Sequence, residues 1–352
     1  MIRVLIADDS PVVRDHLRAI LAADPQIHVL EAATNGDEAL ALVERDQPDV
    51  IVMDVHMPAR DGLEATRRIM ETHPTPIVIV SATWQPHDAD KLFRAIEAGA
   101  LALAPKPFGL GHPEYDKSAS ELIRTVKLMS EVKVVRRWAR ARKTAALRAA
   151  TDAKRAPVGI RLVAIGASTG GPPVLNTILC ALPRDFAVPV LIVQHIATGF
   201  VQGLADWLAR NTQLCIRLAA NGDPALPGHV YLAPDGAHMG VTGSGRIVLS
   251  NGTPENGACP SVSHLLRSVA GAFGAAAVGV LLTGMGRDGA DELKRLRDAG
   301  AITIAQDAGS SVVHGMPGEA IRLNGASYTL TPEEIAPTLI QLVQVKYANA
   351  AR

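Results

Sequence analysis

The 352-residue sequence contains no apolar run that approaches the roughly 20 residues needed to cross a bilayer. Its first residues, MIRVLIADDS, pass from a short apolar stretch directly into two aspartates, which is not the pattern of a secretory signal peptide. Lys plus Arg and Asp plus Glu number 35 each, so the global charge gives no reason to expect nucleic acid or an anionic membrane as a partner. These absences predict a soluble cytoplasmic protein that neither inserts into a membrane nor binds nucleic acid.

Cysteine is also scarce. Cys180, Cys215 and Cys259 form neither a CxxC motif nor a cluster with histidine, which argues against a disulfide framework and against a zinc site. We expect all three to be small buried apolar side chains. The chain is long for a single hydrophobic core, so its length favours two domains.

The first part of the sequence alternates short β-branched runs with amphipathic stretches of helical period, which predicts a βα repeat. The predicted strands are Arg3–Ala7, Ile27–Ala32, Val50–Met53, Ile77–Val80 and Ala100–Ala104. The predicted helices begin near Pro11, Gly36, Gly62, Asp88 and Tyr115. Five such units fit a flavodoxin-like domain of five parallel strands, in which the ligand site lies at the carboxyl ends of the strands.

A basic segment follows this repeat. Residues 132–157 contain nine Lys or Arg and a single acidic residue, and we interpret them as a linker between domains 1–131 and 158–352. The favoured interpretation is a solvated spacer that continues the fifth helix, and the alternative is a patch that binds a polyanion.

The second part predicts another doubly wound, mostly parallel α/β domain. Its predicted strands are Leu162–Ile165, Val190–Val193, Ile216–Leu218, His229–Leu232, Val278–Leu282 and Ile302–Ala305. A TGSG sequence at Thr242–Gly245 predicts one hairpin.

Polar side chains in the first domain fall where predicted strands end. Asp8, Asp9, Asp54, Ser81 and Lys106 should meet at one edge of the parallel sheet, because the carboxyl ends of parallel strands converge there. Crowded carboxylates repel one another unless a cation lies among them, and Mg²⁺ held by the three aspartates fits this need. Asp54 would then accept a phosphoryl group, and Ser81 and Lys106 would bind its oxygens. The alternative is that each aspartate merely caps the next helix.

The same stretch resembles the receiver domain of two-component response regulators. The segments LIADDS, DVIVMDVHMPARDGLEA, VIVSA and APKPF carry the resemblance, which extends over nearly the whole first domain. It implies that Asp54 is phosphorylated and that the phosphodonor is a histidine kinase.

In the second domain, Ser168 lies within GASTG, between a predicted strand and a helix, as the GxSxG nucleophile elbow requires. His195 and Asp288 follow two other predicted strands, so all three can meet at one site. A serine that attacks, a histidine that takes its proton and an aspartate that orients the imidazole form a catalytic triad. The chain order Ser, His, Asp differs from that of the α/β-hydrolases.

A competing interpretation is a dinucleotide site. Gly284, Gly286 and Gly289 spell GxGxxG after a predicted strand, and Asp307 follows at a suitable distance. Asp288 inside this motif would repel a phosphate, however, and the motif does not follow the first strand of its domain. The triad is therefore favoured, with no cofactor in the catalytic domain.

From about Ile160 onward the chain resembles the catalytic domain of chemotaxis protein-glutamate methylesterases. The segments that carry the resemblance are IGASTGGP, VQHIATGF, LPGHVYLAPDGAHM, CPSVSHLLRSVA, LLTGMGRDGA and SVVHGMPGEA. The resemblance assigns Ser168, His195 and Asp288 as the triad, with Thr169 and Met285 as neighbours that position the acyl group or contribute to the oxyanion site. It also implies hydrolysis of γ-glutamyl methyl esters on methylated chemoreceptors, deamidation of receptor glutamines, and activation by phosphorylation of the receiver.

A response regulator with a non-catalytic output domain that binds DNA or a protein is the remaining alternative. The basic linker is its only support, since no helix-turn-helix pattern follows the linker.

Overall fold

A computed structural model describes residues 1–81, 89–132, 134 and 159–349. The chain divides into two compact units, residues 1–144 and 145–352. The start of the fourth helix, predicted near Asp88, and nearly all of the predicted linker 132–157 lie outside the described residues. None of the helices in the described part of the chain combines the length and apolar character that a membrane span requires.

The described part of the first unit contains a sheet of five parallel strands in the order β2-β1-β3-β4-β5, which confirms the predicted flavodoxin-like arrangement. Its strands are β1 (Ile2–Ala7), β2 (Ile27–Val29), β3 (Val50–Asp54), β4 (Ile77–Ser81) and β5 (Ala102–Pro105). Its helices are α1 (Pro11–Ala22), α2 (Gly36–Asp46), α3 (Gly62–Thr72), α4 (Ala89–Ala98) and α5 (Tyr115–Ser130).

Short polar residues start three of these helices. The side chains of Ser10, Asn35 and Asp61 accept hydrogen bonds from backbone N–H groups in the first turns of α1, α2 and α3. Each cap follows closely on the end of a strand segment, so each helix begins near the edge where Asp8 and Asp54 lie. The predicted start of β5 at Ala100 was wrong, because the Ala100 N–H bonds back to Ala95 and still completes α4.

The described part of the second unit contains a sheet of seven parallel strands in the order β14-β13-β12-β6-β7-β9-β8. Its strands are β6 (Leu162–Ala167), β7 (Val190–Gln194), β8 (Cys215–Leu218), β9 (His229–Leu232), β12 (Ala277–Leu281), β13 (Ile302–Gln306) and β14 (Tyr328–Leu330). Two further strands, β10 (His238–Val241) and β11 (Ile247–Ser250), form the antiparallel hairpin predicted from TGSG.

The helices of this unit are α6 (Gly171–Ala181), α7 (Val201–Asn211), α8 (Val262–Phe273), α9 (Ala290–Asp298), α10 (Met316–Arg322) and α11 (Pro332–Asn349), with a short 3₁₀ turn at Gly274–Ala276. The central strand β6 is buried along its whole length, as expected for a parallel sheet covered on both faces. All six predicted strands are present, and β14 is an addition. The prediction that the cysteines are buried was wrong for Cys180 and Cys215, which are exposed, while Cys259 is half-buried.

Candidate functional site

The first unit gathers three carboxylates at the carboxyl ends of β1 and β3. Asp8 and Asp9 follow β1, Asp54 ends β3, and one oxygen of each lies within 4.8 Å of the others. Asp8 and Asp54 are buried, whereas Asp9 is exposed. A hard divalent cation prefers such a set of oxygen ligands, so this acidic cluster is suited to hold one.

Lys106 reaches into the same cluster from the end of β5. Its Nζ lies 2.7 Å from Oδ2 of Asp8 and 3.2 Å from Oδ2 of Asp54. Burial raises the pKa of the Asp54 carboxyl, and the charge of Lys106 offsets this only in part. Burial opposes the charge of Lys106 too, yet the hydrogen bond to Asp8 and the charges of both carboxylates raise the pKa of the ammonium above its ordinary value. A single ammonium among three carboxylates leaves the cluster with excess negative charge.

Ser81 is placed at the same edge by strand register. Val80 pairs with Asp54, so Ser81 ends β4 one residue beyond the level of Asp54. It is buried, and its carbonyl accepts a hydrogen bond of 2.7 Å from the Lys106 N–H. The structure thus brings all five residues predicted for this edge into one neighbourhood.

In the second unit, Ser168 and His195 extend from adjacent central strands. Ala167 of β6 pairs with Gln194 of β7, so Ser168 and His195 lie side by side, each one residue beyond a paired position. The last backbone hydrogen bond between β6 and β7 runs from the His195 N–H to the Ala167 carbonyl and is 2.9 Å long. Both side chains are half-buried, and within the described residues the Ser168 hydroxyl makes no hydrogen bond.

The turn after Ser168 is tight. Gly170 has φ of 76°, a left-handed conformation that costs glycine little, and α6 begins directly after it. Gly284 packs against the serine from the neighbouring loop, where a Cβ would come within 2.6 Å of the Ser168 Cβ. The GxSxG prediction therefore matches the local geometry of a strand-to-helix elbow.

The loop that follows β12 is fixed to this elbow through Thr283. The Thr283 carbonyl accepts a hydrogen bond of 3.0 Å from the Ser168 N–H, and its hydroxyl donates to the Thr169 carbonyl at 2.9 Å. Its own N–H donates to Oε1 of buried Gln306 at 2.8 Å. Thr169 follows Ser168 in the elbow, Met285 lies in the loop after β12, and both side chains are half-buried.

Asp288 lies opposite the histidine. Its Oδ2 is 3.0 Å from Nε2 of His195, and the side chain of Asp288 is nearly inaccessible. Four protein donors also face the carboxylate, namely the side chains of Asn256 and Ser261 and the backbone N–H groups of Val262 and Ser263. Since the two backbone donors belong to the start of α8, the positive end of a helix adds to their effect.

These contacts decide the charge of Asp288. Burial alone would raise the pKa of its carboxyl, but the contact with His195 and the hydrogen bonds from Asn256 and Ser263 hold the pKa well below its ordinary value. The carboxylate therefore stays ionised at neutral pH and can orient and stabilise a protonated imidazole.

Three further residues of this site, Ser261, Asn256 and Gln194, are not among those predicted from the sequence. Ser261 carries a recognisable signal, since a serine directly before an apolar periodic run is a typical N-cap, and its hydroxyl caps α8 while donating to Asp288. Asn256 carries no such signal, because it reaches Asp288 from an irregular loop and has φ of 52°. Gln194 is also new, and its amide bonds the backbone beside both Ser168 and His195.

The dinucleotide interpretation of GxGxxG finds no support in this geometry. Asp288, inside the motif, is turned toward His195 and the start of α8. Asp307 accepts hydrogen bonds from the backbone N–H groups of Gly309 and Ser310 and so closes its own turn.

Comparisons with known proteins identify relatives of both units. Residues 163–339 match the family model described as CheB methylesterase, and residues 4–112 match the response regulator receiver domain. Protein-glutamate methylesterase/protein-glutamine glutaminase 4 of Geobacter metallireducens is 54% identical over 347 residues, covering 98% of this chain and 100% of the relative. Its counterpart in Nitrosospira multiformis is 53% identical over 348 residues, covering 97% of each chain.

A solved structure resembles the second unit. The CheB methylesterase catalytic domain of Thermotoga maritima is 35% identical, with a TM-score of 0.51, and the match covers 53% of this chain and 100% of that domain.

Proposed function

The chain belongs to the CheB methylesterase family, with an N-terminal receiver domain, and from this premise we propose that Ser168, His195 and Asp288 are its catalytic triad. The protein is a protein-glutamate methylesterase with protein-glutamine glutaminase activity that serves chemotactic adaptation. The observation that carries the triad is the distance of 3.0 Å between His195 Nε2 and Asp288 Oδ2, directly beside Ser168. A non-catalytic output domain is not favoured, because the enzyme family spans residues 163–339.

The contact with Asp288 assigns the two nitrogens of His195. Nε2 lies 3.0 Å from Asp288 Oδ2 but is not aligned for a hydrogen bond in this structure, so the Nε2 proton turns toward Asp288 during the reaction and Nδ1 accepts the proton of the Ser168 hydroxyl. The serine oxygen bonds to the ester carbonyl carbon, and the tetrahedral intermediate collapses as methanol leaves with the proton from His195. Water then gives its proton to His195 and attacks the acyl-serine, which releases the glutamate carboxylate and restores the hydroxyl.

The oxyanion of this intermediate needs donors on the loops beside Ser168. In the described part of the chain, the backbone N–H groups of Thr169 and Met285 have no acceptor, although both lie at the site. Unpaired amides at the rim of a half-buried site are what an oxyanion hole requires. We therefore assign Thr169 and Met285 to positioning the acyl group and its oxyanion. Attack on a glutamine amide follows the same route, with ammonia as the leaving group.

Regulation falls to the first unit, where Asp54 accepts a phosphoryl group from a histidine kinase. Mg²⁺ fits the cluster of Asp8, Asp9 and Asp54, because among the described residues these three carboxylates share only the ammonium of Lys106. When bound, the metal neutralises charge on the incoming phosphoryl group. Lys106 and Ser81 bind the phosphoryl oxygens. Asp54 is a suitable acceptor because its buried carboxylate is poorly neutralised by its own neighbours.

The remaining assignments follow from this function. The receiver occupies residues 1–131, the basic linker 132–157 and the catalytic domain 158–352. Methylated chemoreceptors are the substrate and a histidine kinase is the phosphodonor, in the cytoplasm, with no cofactor in the catalytic domain.

The decisive test of the triad is Ser168→Ala. We expect methanol release from methylated receptor membranes to fall by about 10⁴-fold or more, because the variant lacks the hydroxyl that would form the acyl intermediate. Ser244→Ala, in the exposed turn of the β10–β11 hairpin, is the matched control and should retain full turnover. Turnover by Ser168→Ala at the rate of this control would overturn the assignment.

A further inference from the structure

Gln194 is the last residue of β7 and immediately precedes His195. Its side chain is buried, and its single Nε2 group donates one hydrogen bond to the Ser168 carbonyl and one to the His195 carbonyl, both at 2.8 Å. One amide therefore connects the backbones of the two residues proposed as nucleophile and base.

The orientation of this amide follows from its surroundings. Both nearby acceptors are carbonyl oxygens, so only the NH₂ end can face them, and the opposite orientation would bring three oxygens together. Oε1 then points to the start of α6, where a Cβ on Gly171 would come within 2.1 Å of it. Glycine at this position leaves the room that the amide needs.

The Oε1 atom argues against a purely stabilising role. Within the described residues it is buried and has no hydrogen-bond partner. Burial of an acceptor without a donor lowers stability, so the Gln194 side chain stabilises the fold less than a fully paired glutamine would. Departures of this kind are expected where function rather than stability selects the residue.

We propose that Gln194 is a positioning residue that fixes the distance between Ser168 and His195. Regular pairing of β6 and β7 ends with the hydrogen bond from the His195 N–H to the Ala167 carbonyl, and the amide of Gln194 bridges the two backbones beyond that point. Without it, the loops that carry the nucleophile and the base can separate. The inference rests on the proposed triad and extends it to a residue that touches neither the substrate nor the reacting atoms.

The test is Gln194→Met in the full-length protein, which removes both donors and keeps a side chain of similar length. The matched control is Gln202→Met on the exposed face of α7. We measure kcat and KM for methanol release, and the rate and final stoichiometry of serine labelling by a fluorophosphonate. A displacement of about 1 Å between reacting groups can cost roughly 100-fold in rate. We therefore expect kcat and the labelling rate to fall about 10- to 100-fold, with KM within about twofold and labelling still reaching one group per chain.

Two outcomes would overturn the inference. One is a kcat for Gln194→Met within twofold of the Gln202→Met control. The other is a reduced labelling stoichiometry with an unchanged rate per reactive site, which is the result of partial unfolding rather than of a separated catalytic pair.

Gln194→Glu provides a second route if the methionine variant does not fold. Its carboxylate cannot donate to either carbonyl, whereas its protonated form can donate to one, so the labelling rate relative to wild type should rise as the pH falls. A ratio that stays at one across the pH range would contradict the inference. Labelling of Ser168→Ala at the wild-type rate would instead show that the proposed triad is wrong.

Discussion

Asp54 and Asp288 are both buried aspartates beyond or at the carboxyl ends of parallel strands, in separate units, yet their surroundings shift their pKa in opposite directions. Asp54 shares one ammonium with Asp8, and burial raises the pKa of its carboxyl. Asp288 receives four hydrogen bonds and contacts an imidazole, which lower the pKa of its carboxyl.

The difference separates two ways to use a buried charge. The cluster around Asp54 is left short of positive charge, as is suitable for a site that receives a cation and a phosphoryl group from outside. The site around Asp288 is complete within the protein, so little reorganisation is needed when positive charge develops on His195 during the reaction. The first site suits the proposed phosphorylation, and the second suits the proposed turnover.

The largest effect should come from removing the negative charge of Asp288. Asp288→Asn keeps the shape but loses the carboxylate proposed to orient and stabilise the imidazole, so we expect kcat for methanol release to fall by about 10³–10⁴-fold. Asp298→Asn, an exposed residue of α9 that pairs with Lys294, is the matched control. Retention of more than a tenth of the wild-type kcat by Asp288→Asn would mean that Asp288 does not serve the imidazole.

The second effect concerns the incomplete site. Asp54→Asn removes the proposed phosphoryl acceptor, so acetyl phosphate with Mg²⁺ should no longer stimulate methanol release, while the basal rate stays unchanged. Exposed Asp116→Asn, at the start of α5, should respond as the wild type does. Stimulation of Asp54→Asn equal to that of Asp116→Asn would place the phosphorylation site elsewhere.

The smallest effect is a pair of stability changes of opposite sign. At pH 7 without metal, Asp54→Asn should stabilise the first unit, because a poorly neutralised buried charge is removed. Asp288→Asn should destabilise the second unit by about 1–3 kcal/mol, because four donors lose a charged acceptor. Denaturant unfolding with a probe in each unit measures both.

The pH dependence of the two changes follows from the direction of each pKa shift. Asp288 has a lowered pKa when folded, so its stabilisation is present above the unfolded value of about 3.9 and is lost as the pH falls below it. Asp54 has a raised pKa when folded, so its penalty is present at neutral pH and disappears as the pH falls through that raised value. Both substitutions should therefore lose their effect in acid. Equal signs for the two at pH 7 would contradict the comparison.

Much of both sites could be predicted because the carboxyl ends of parallel strands converge. Strand periodicity placed Asp54, Lys106, Ser168 and His195 at such ends, and the structure puts each of them there. The position of Asp288 could be predicted for the same reason, although Asp288 lies in the loop beyond β12. Its orientation could not be predicted, because it depends on hydrogen bonds from the start of α8.

The other site residues and elements depend on contacts that the hydrophobic periodicity of the sequence does not indicate. Asn256 approaches Asp288 from an irregular loop. In the sequence, Gln194 is indistinguishable from any other residue of a buried strand, and only the structure shows its amide bonded to two carbonyls. The strand β14 has only three residues and pairs along one side only, so it lacks a pattern long enough to detect. Exposure of Cys180 and Cys215 likewise follows from their positions on an outer helix face and an edge strand.

The strand order of the second unit also bears on its synthesis. The strand β6 pairs with β7 on one side and with β12 on the other, so the site combines residues that are far apart in the sequence. Ser168 and His195 therefore leave the ribosome long before Asp288. A nascent chain that ends before Asp288 has emerged holds the serine and the histidine but lacks the carboxylate that the histidine needs. If the proposed triad is correct, the site is therefore incomplete until Asp288 has left the ribosome, late in translation.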